Sequence, residues 1–407
     1  MLKKSGDELR EGGGRKIAIA AMSGSELVHH DMPLIQALIA KGHDVLCLAP
    51  EITEIEWHTL LAHGAAVEQL DLVAERFALM PNRQVAGRVT KILKTFGADT
   101  VLARGRDLLP AVVQGAHKAK VPRILPVIDW LVGKAEDVAE AAPELDDELV
   151  DEPSRLARVF RHARVFLCYN HDHAAQLEYS GLLLEGSSTV VIPGLGVDLN
   201  QFALSALPPI RQGLTFLMIG ELSQSSGILD FCNAARIVHS HSPGAEFVVA
   251  GRASFAADSV ALRTLAEFRG VVEYAGDGSD PASLIEKAHV FVCPARGVGL
   301  AYDALPALAK GRPVVVSDAP GCRELADERV NGCMAKAGDP QSLAQAMESY
   351  LRRPDLIPSM ARASRLKAER RFDRRLAMAA MLELLEIDQT AAGRVYAQRT
   401  FAQRSGV

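Results

Sequence analysis

Apolar runs and helical apolar spacing alternate along the chain. Residues 16–23 form a short β-rich run, residues 33–42 place apolar side chains at helical spacing up to Gly42, and residues 43–50 form a second apolar run. Strand, amphipathic helix and strand make up a βαβ unit. Because the strands are apolar almost throughout, they predict a parallel sheet that is covered on both faces.

This alternation continues to residue 199, and it begins again after a polar, proline-containing link at 203–213. The second series predicts five strands with crossovers. Two such series predict two doubly wound α/β domains with parallel sheets. The resulting division of the chain is a flexible tail 1–14, a first domain 15–202, the link 203–213, a second domain 214–373, a helix 374–390 and a polar tail 391–407.

Composition fits this division and excludes several classes of protein. A chain of 407 residues is too long for one ordinary core. A formal charge of −5 gives no electrostatic reason to expect nucleic acid as a partner. Six scattered cysteines show neither a zinc spacing nor a disulfide framework, so we expect no metal site. A charged N-terminus and the absence of a long apolar run predict a cytoplasmic protein, at most peripheral on a membrane.

Four strings resemble segments of the family-4 retaining glycosyltransferases. They are PLIQALIAKGHDVLCLAP (33–50), IPGLGVDLNQF (192–202), GRPVVVSDAPGCRELADERVNGCMA (311–335) and RFDRRLAMAAML (371–382). The resemblance covers about residues 15–385 and is strongest with bacterial capsular and O-antigen enzymes. It implies the GT-B fold, in which two Rossmann-like domains face each other across a cleft and the closing helix crosses back to the N-terminal domain.

The resemblance also implies a reaction. The C-terminal domain would bind a nucleoside diphosphate sugar, and the N-terminal domain would bind a glycan or a polyprenyl-diphosphate-linked acceptor. Transfer would be retaining, without a cofactor or a metal, in the synthesis of cell-surface polysaccharide or lipopolysaccharide. In the family an Arg, a Lys and backbone amides at a helix N-terminus neutralise the leaving diphosphate.

The positions that carry this chemistry in the family differ here. Glu221 stands at the Arg position and Ser226 at the Lys position, and Val298 and Pro306 stand where the family has two glutamates. A carboxylate repels a diphosphate, and the side chains of valine and proline cannot accept a hydrogen bond. Two hypotheses follow. The chain is either a transferase with an altered donor site or an inactive GT-B protein that acts as partner or regulator of an active transferase.

Candidates for donor binding remain near these positions. Gly297, Gly299 and Leu300 form a glycine-rich turn whose amides suit an anion. Asp303 is a candidate to replace a lost glutamate, and Arg252 follows the strand 245–251 and is a candidate cation.

The glycine-rich turn is also a near miss to the dinucleotide fingerprint, because Tyr302 occupies the place of its third glycine. Its position late in the chain favours a donor loop over an NAD site. A plain strand-to-helix turn that needs small residues is the alternative.

Acceptor candidates follow the strands of the first domain. Ser25, His29 and His30 come after the first strand, and Arg104 and Arg106 end the strand 99–104. Imidazoles suit acid–base or phosphate contacts, and paired arginines suit a phosphate. The alternatives are a helix-capping cluster around Asp31 and a solvated loop that pairs with the acidic segment 145–152.

Asp129 and Trp130 end the next strand of the first domain. Asp129 is the candidate catalytic base for the acceptor. Trp130 is either a platform for stacking a sugar or part of the core.

Residues 76–98 contain five basic residues and no acidic one, with apolar residues between them. Such a stretch suits docking on an anionic membrane. The alternative is a helix with a solvated basic face and a buried apolar face.

Overall fold

The structure is a computed structural model, and it describes residues 14–70, 83–130, 152–210, 213–252, 259–297 and 301–386. Within these residues it contains two parallel sheets with helices on their faces, so the predicted pair of doubly wound α/β domains is confirmed. The sequence-based predictions for residues 1–13, 76–82, 387–407 and 145–151 concern segments outside the described residues.

The first sheet contains seven strands within the described residues: β1 (Lys16–Ala20), β2 (Asp44–Ala49), β3 (Ala66–Gln69), β4 (Thr100–Ala103), β5 (Arg123–Ile128), β6 (Val165–Cys168) and β7 (Ser188–Val191). They are parallel and lie in the order β3-β2-β1-β4-β5-β6-β7. In β1, residues Ile17–Ala20 are at most 2% exposed, which is why all four of them are apolar, whereas Lys16 at the start of the strand is exposed.

Helices cover both faces of this sheet. In chain order they are α1 (Gly24–Glu26), α2 (Met32–Ala40), α3 (Glu54–Ala62), α4 (Arg83–Phe96), α5 (Leu109–Ala119), α6 (Glu152–Phe160) and α7 (His171–Tyr179), with a π-helical turn at Leu27–Asp31. Capping side chains stabilise the first turns of several of these helices. A capping box between Thr53 and Glu56 begins α3, and the Asn170 side chain accepts the His173 amide at 2.7 Å at the start of α7.

The second sheet contains β8 (Thr215–Ile219), β9 (Glu246–Ala250), β10 (Val272–Tyr274), β11 (Val290–Cys293), β12 (Val314–Ser317) and β13 (Gly332–Ala335). They are parallel, in the order β10-β9-β8-β11-β12-β13. The prediction of five strands was wrong by one, because β13 buries only Gly332 and Ala335 and therefore lacks an apolar run.

The helices of the second domain are α8 (Ile228–His241), α9 (Leu262–Leu265), α10 (Pro281–Lys287), α11 (Leu305–Ala309), α12 (Pro340–Arg352) and α13 (Ile357–Lys367). Short 3₁₀ turns lie at Ala266–Phe268, Tyr302–Ala304, Arg323–Leu325 and Pro354–Leu356, and a π-helical turn lies at Ala368–Phe372. The last described helix, α14 (Arg374–Glu386), packs against α2 of the first domain.

Backbone and side-chain contacts join the two domains. The Val197 amide donates to the Phe372 carbonyl at 2.7 Å, and the Arg374 amide donates to the Val197 carbonyl at 2.9 Å. Glu324 of the second domain accepts hydrogen bonds from the backbone amide and the ring of His171. Burial works to raise the pKa of Glu324, but these bonds and the charge of Arg371 outweigh it and lower that pKa to about 2.

Candidate active site

Each sheet has a point at which its strand order reverses. In open parallel sheets, ligands bind at this point, beyond the carboxyl ends of the strands. The reversal lies between β1 and β4 in the first sheet and between β8 and β11 in the second. The segments that follow these four strands, together with those after β5 and β9, hold every site residue predicted from the sequence.

Tyr302 joins the two reversal points. It lies on a 3₁₀ turn of the second domain, and its ring centroid is 5.8 Å from that of His30 and 6.2 Å from that of Tyr169 in the first domain. Gly194 has a φ of +57°, and a Cβ added there would lie 1.6 Å from the Tyr302 hydroxyl oxygen. A glycine is therefore required where the tyrosine enters the first domain. The sequence presented Tyr302 only as a mismatch to a fingerprint.

Arg104 forms a compact ionic cluster with the segment after β1. Its Nη2 atom lies 2.7 Å from Oδ2 of Asp31 and 3.2 Å from Oε2 of Glu26, and its side chain is 12% exposed. Tyr169 also lies close enough to interact electrostatically with the guanidinium of Arg104. Among the described residues, Arg104 therefore pairs with these two carboxylates, and the predicted pairing with the acidic segment 145–152 stays a prediction.

The same cluster overturns the capping interpretation of Asp31. Asp31 stands at the N-cap position of α2, but its side chain makes no capping hydrogen bond. Its carboxylate is 4% exposed and faces the guanidinium of Arg104, which is the stronger partner for a buried charge.

Burial changes the protonation of two carboxyl groups here. It raises the pKa of Asp31 to about 6 and that of Asp129 to about 6, against the opposing effect of Arg104. The carboxylate of Glu26 adds to both increases. A carboxyl group with such a pKa can accept and release a proton near neutral pH, which is the property of a general base.

A cavity of about 160 Å³ lies beside this cluster. Residues of both domains line it: His29, His30, Pro33, Arg104, Leu195, Gly196, Val197, Phe202, Tyr302, Leu305, Pro306 and Arg374. The surrounding protein, with the charge of Arg104, lowers the pKa of His30 and so favours the neutral form of the imidazole in this cavity.

Carboxylates also mark the second reversal point. Asp303 extends towards the segment after β8, since a Cβ added at Gly220 would lie 3.5 Å from its Oδ2 atom. Its side chain keeps contact with solvent inside the cleft, and the surrounding protein together with Glu221 raises its pKa to about 6. The Ser226 hydroxyl is occupied within its own turn, where it donates to the Ser223 carbonyl at 2.7 Å.

Arg296 is a candidate that the sequence analysis missed. It lies three residues after β11, and its Nε and Nη2 atoms contact the Asp230 carboxylate at 2.9–3.1 Å. Its position just after a buried strand could have identified it as a site residue. The neighbouring glycines instead suggested a site formed by backbone amides.

The other predicted site residues lie around the same edges, and their roles stay predictions. Ser25, Arg106 and Arg252 are exposed, and Gly297 has a φ of +128° with open space beside it. Trp130 packs against the second core of the first domain. Val298, Gly299 and Leu300 lie outside the described residues. In the described ranges no group of three or more His, Cys, Asp or Glu side chains is placed to hold a metal ion.

The basic stretch of the first domain forms α4 in its described part. Val85, Val89 and Leu93 are buried against the core, whereas the basic side chains are exposed: Arg83, Arg88, Lys91 and Lys94. No helix in the described part of the chain is both long and apolar enough to cross a membrane.

The second domain matches a known protein family. Residues 213–353 match the family model described as glycosyl transferases group 1. These residues form a group 1 glycosyltransferase domain. The match begins just before β8 and ends after α12, so it contains the whole second sheet.

Relatives and solved structures extend this similarity over the chain. The N,N'-diacetylbacillosaminyl-diphospho-undecaprenol alpha-1,3-N-acetylgalactosaminyltransferase of Campylobacter jejuni is 22% identical over 85% of this chain and 92% of its own length. The amylovoran biosynthesis glycosyltransferase AmsK of Erwinia amylovora is 24% identical over 47% of this chain and 49% of its own length.

Among solved structures, Anabaena Alr3699/HepE in complex with UDP superposes with a TM-score of 0.70 at 17% identity, over 91% of this chain and 99% of its own. The GT-B architecture predicted for the chain is thereby confirmed.

Proposed function

We propose that the protein is a glycosyltransferase of cell-surface polysaccharide or lipopolysaccharide synthesis that transfers a sugar from a nucleoside diphosphate sugar to a glycan or lipid-linked acceptor. The observation that carries this proposal is the cavity lined by both domains, at the reversal points of both sheets. One side belongs to a group 1 glycosyltransferase domain. On the other side Arg104 lines the cavity, and its charge acts on Asp129, a carboxyl group suited to act as a base.

Each side of the cleft has a role in this reaction. The bond between the anomeric carbon of the sugar and the donor diphosphate breaks, and a bond to the acceptor hydroxyl oxygen forms. The Asp129 carboxylate receives the hydroxyl proton, and its pKa of about 6 leaves it mostly ionised at pH 7.5. The ring of His30 lines the cavity and is placed to orient the acceptor by hydrogen bonding, and its lowered pKa favours the neutral form.

The finer features of the reaction rest on the resemblance to family-4 enzymes. We propose transfer with retention of the anomeric configuration, without a cofactor or a divalent metal. UDP-sugars are the first donors to test, since one structural neighbour was solved with UDP. Calorimetric titration with UDP, ADP, GDP and dTDP tests the donor class, and transfer assays with and without EDTA test the metal requirement.

The acceptor side suggests a position at the membrane. The name of the Campylobacter relative specifies a diphospho-undecaprenol substrate. We propose that this chain works on the cytoplasmic face of a membrane, held by charge through the basic face of α4, since the apolar face of that helix is buried. Reversing Arg83, Arg88, Lys91 and Lys94 to Glu should then abolish sedimentation with anionic vesicles. Equal sedimentation of this variant and the parent would contradict the docking.

Glu221 and Ser226 also motivate the inactive alternative, in which the chain is a partner or regulator of an active transferase. The relatives, which are named as transferases, give this alternative no support. If none of the four diphosphates binds and an active transferase co-purifies with the chain, the enzyme proposal fails and the alternative stands.

A further inference from the structure

The segments after β8 and β11 pack directly against each other at the second reversal point. The Arg296 amide donates to the Ser225 carbonyl at 2.9 Å. Gly227 has a φ of +77°, and a Cβ added there would lie 2.1 Å from the Pro294 carbonyl oxygen. This packing fixes the backbone of Arg296 beside the crevice in which a ligand of such a sheet binds.

The guanidinium of Arg296 is held by one edge and is open at the other. Asp230, which is 5% exposed, receives hydrogen bonds from Nε and Nη2. The Nη1 atom has no partner among the described residues, and the side chain is 47% exposed. A buried carboxylate that orients an arginine in this way leaves the outer N–H groups for a second oxygen ligand.

The charges nearby favour a cation at this edge when an anionic ligand binds. Glu221 and Asp303 place two carboxyl groups on the same edge of the sheet, and the Ser226 hydroxyl is bonded within its own turn. A guanidinium can present two parallel N–H donors to a phosphate group, which makes it well suited to offset this repulsion.

We propose that Arg296 binds the diphosphate of the sugar donor through its open edge, while Asp230 positions the guanidinium. This inference rests on the proposed function and adds to it the residue that neutralises the leaving group.

Calorimetric titration with UDP and with uridine tests the proposal. Arg296→Gln should weaken the binding of UDP at least about tenfold, since a charge-assisted hydrogen bond to the phosphate is lost, and should leave the affinity for uridine unchanged. Arg269→Gln is the matched control, because this exposed arginine precedes β10 at the opposite edge of the sheet, and its UDP affinity should equal that of the parent.

Asp230→Asn separates binding from a merely structural role. If Arg296 binds the diphosphate, Asp230→Asn leaves its positive charge less neutralised and keeps one amide oxygen to accept a hydrogen bond from the guanidinium, so this variant should lose much less UDP affinity than Arg296→Gln. If the ion pair serves only to hold the loops, Asp230→Asn should weaken UDP binding as much as Arg296→Gln does, which would overturn the proposal.

The double variant Arg296→Gln, Asp230→Asn is the control for misfolding, because it leaves no buried unpaired charge. It should bind UDP as weakly as Arg296→Gln. Equal UDP binding by the parent and Arg296→Gln would refute only the role of Arg296. A parent protein that binds none of UDP, ADP, GDP and dTDP would refute the proposed function, and the role of Arg296 with it.

Discussion

Both reversal points contain an arginine that is paired with a carboxylate, but the arginine is buried at one point and exposed at the other. In each domain an arginine after the fourth strand of the series binds a carboxylate from the segment after the first strand. Arg104 binds Asp31 and Glu26 in this way, and Arg296 binds Asp230. The Arg104 side chain is 12% exposed and has two acidic partners, whereas the Arg296 side chain is 47% exposed and has one.

This difference assigns different work to the two arginines. A guanidinium that is buried among carboxylates has few donors left for a ligand, but its charge controls the ionisation of its neighbours. Arg104 opposes the rise in the pKa of Asp129 and so helps to keep that carboxyl ionised. Arg296 is held at one edge only, and its charge remains available at the crevice. Under the proposed function, the arginine of the acceptor side would tune a base and the arginine of the donor side would bind an anion.

The largest difference between the two sites should appear in the stability that is lost when each arginine is replaced. Arg104→Gln leaves Asp31 buried without its partner and should lower the free energy of unfolding by about 3–5 kcal/mol. Arg296→Gln should cost about 1–3 kcal/mol, because water can reach the site and replace part of the lost interaction. Urea unfolding at pH 7.5 measures both. Tryptophan fluorescence reports the first domain, since both tryptophans lie there, and circular dichroism reports the whole chain.

The control for Arg104 is the double variant Arg104→Gln, Asp31→Asn, which carries no unpaired charge and should recover part of the loss. Equal losses for Arg104→Gln and Arg296→Gln would show that burial does not distinguish the two sites.

The ionised carboxylate of Asp129 should destabilise the folded protein. Its carboxyl pKa is about 6 in the folded protein and near 3.8 in the unfolded chain, so the folded state binds more protons between these values. The free energy of unfolding therefore falls as pH rises from about 4 to 6, and stays low above that range. Asp129→Asn removes this cost and should stabilise the protein by up to about 3 kcal/mol at pH 7.5, at about 1.4 kcal/mol per pKa unit, and by nothing at pH 4.

The same variant should lose sugar transfer if Asp129 is the base. Arg106→Gln, at an exposed position after the neighbouring strand, keeps Asp129, so its difference in stability from the parent should be the same at pH 4 and pH 7.5. A constant stability difference between Asp129→Asn and the parent from pH 4 to 7.5 would contradict the raised pKa.

The strands and helices of both regions could be predicted from the sequence, but the ion pairs Arg104–Asp31 and Arg296–Asp230 could not. Apolar runs predicted the strands because both faces of each sheet are covered, and β13 escaped because it buries only two residues. Arg104 and Asp129 were recognised because they end strands. Their partners were not, since Asp31 lies 73 residues before Arg104 and no local pattern links them. Arg296 and Tyr302 were hidden in a segment whose glycines suggested a backbone site.

Tyr302 of the second domain contacts the first domain, and a larger residue at Gly194 should weaken this contact. Gly194→Ala places a Cβ against the Tyr302 hydroxyl and adds a side chain at a positive φ, so the free energy of unfolding should fall by about 2 kcal/mol. Thermal unfolding and the rate of sugar transfer should both change. The double variant Gly194→Ala, Tyr302→Ala removes the clash and should regain part of the stability, though not the transfer rate. An unchanged melting temperature in Gly194→Ala would show that this contact does not hold the domains together.

The smallest expected effect concerns the charge that opposes Arg296. Glu221 is exposed and raises the pKa of Asp303 by its charge, so it also repels a diphosphate at the same edge. Glu221→Gln should therefore strengthen UDP binding by about two- to threefold at low salt, and the gain should vanish in about 1 M salt, where charges are screened within about 3 Å. Glu267→Gln, before β10 at the opposite edge of the sheet, should leave the affinity unchanged. Weaker UDP binding by Glu221→Gln would mean that Glu221 contacts the donor directly instead of repelling its diphosphate.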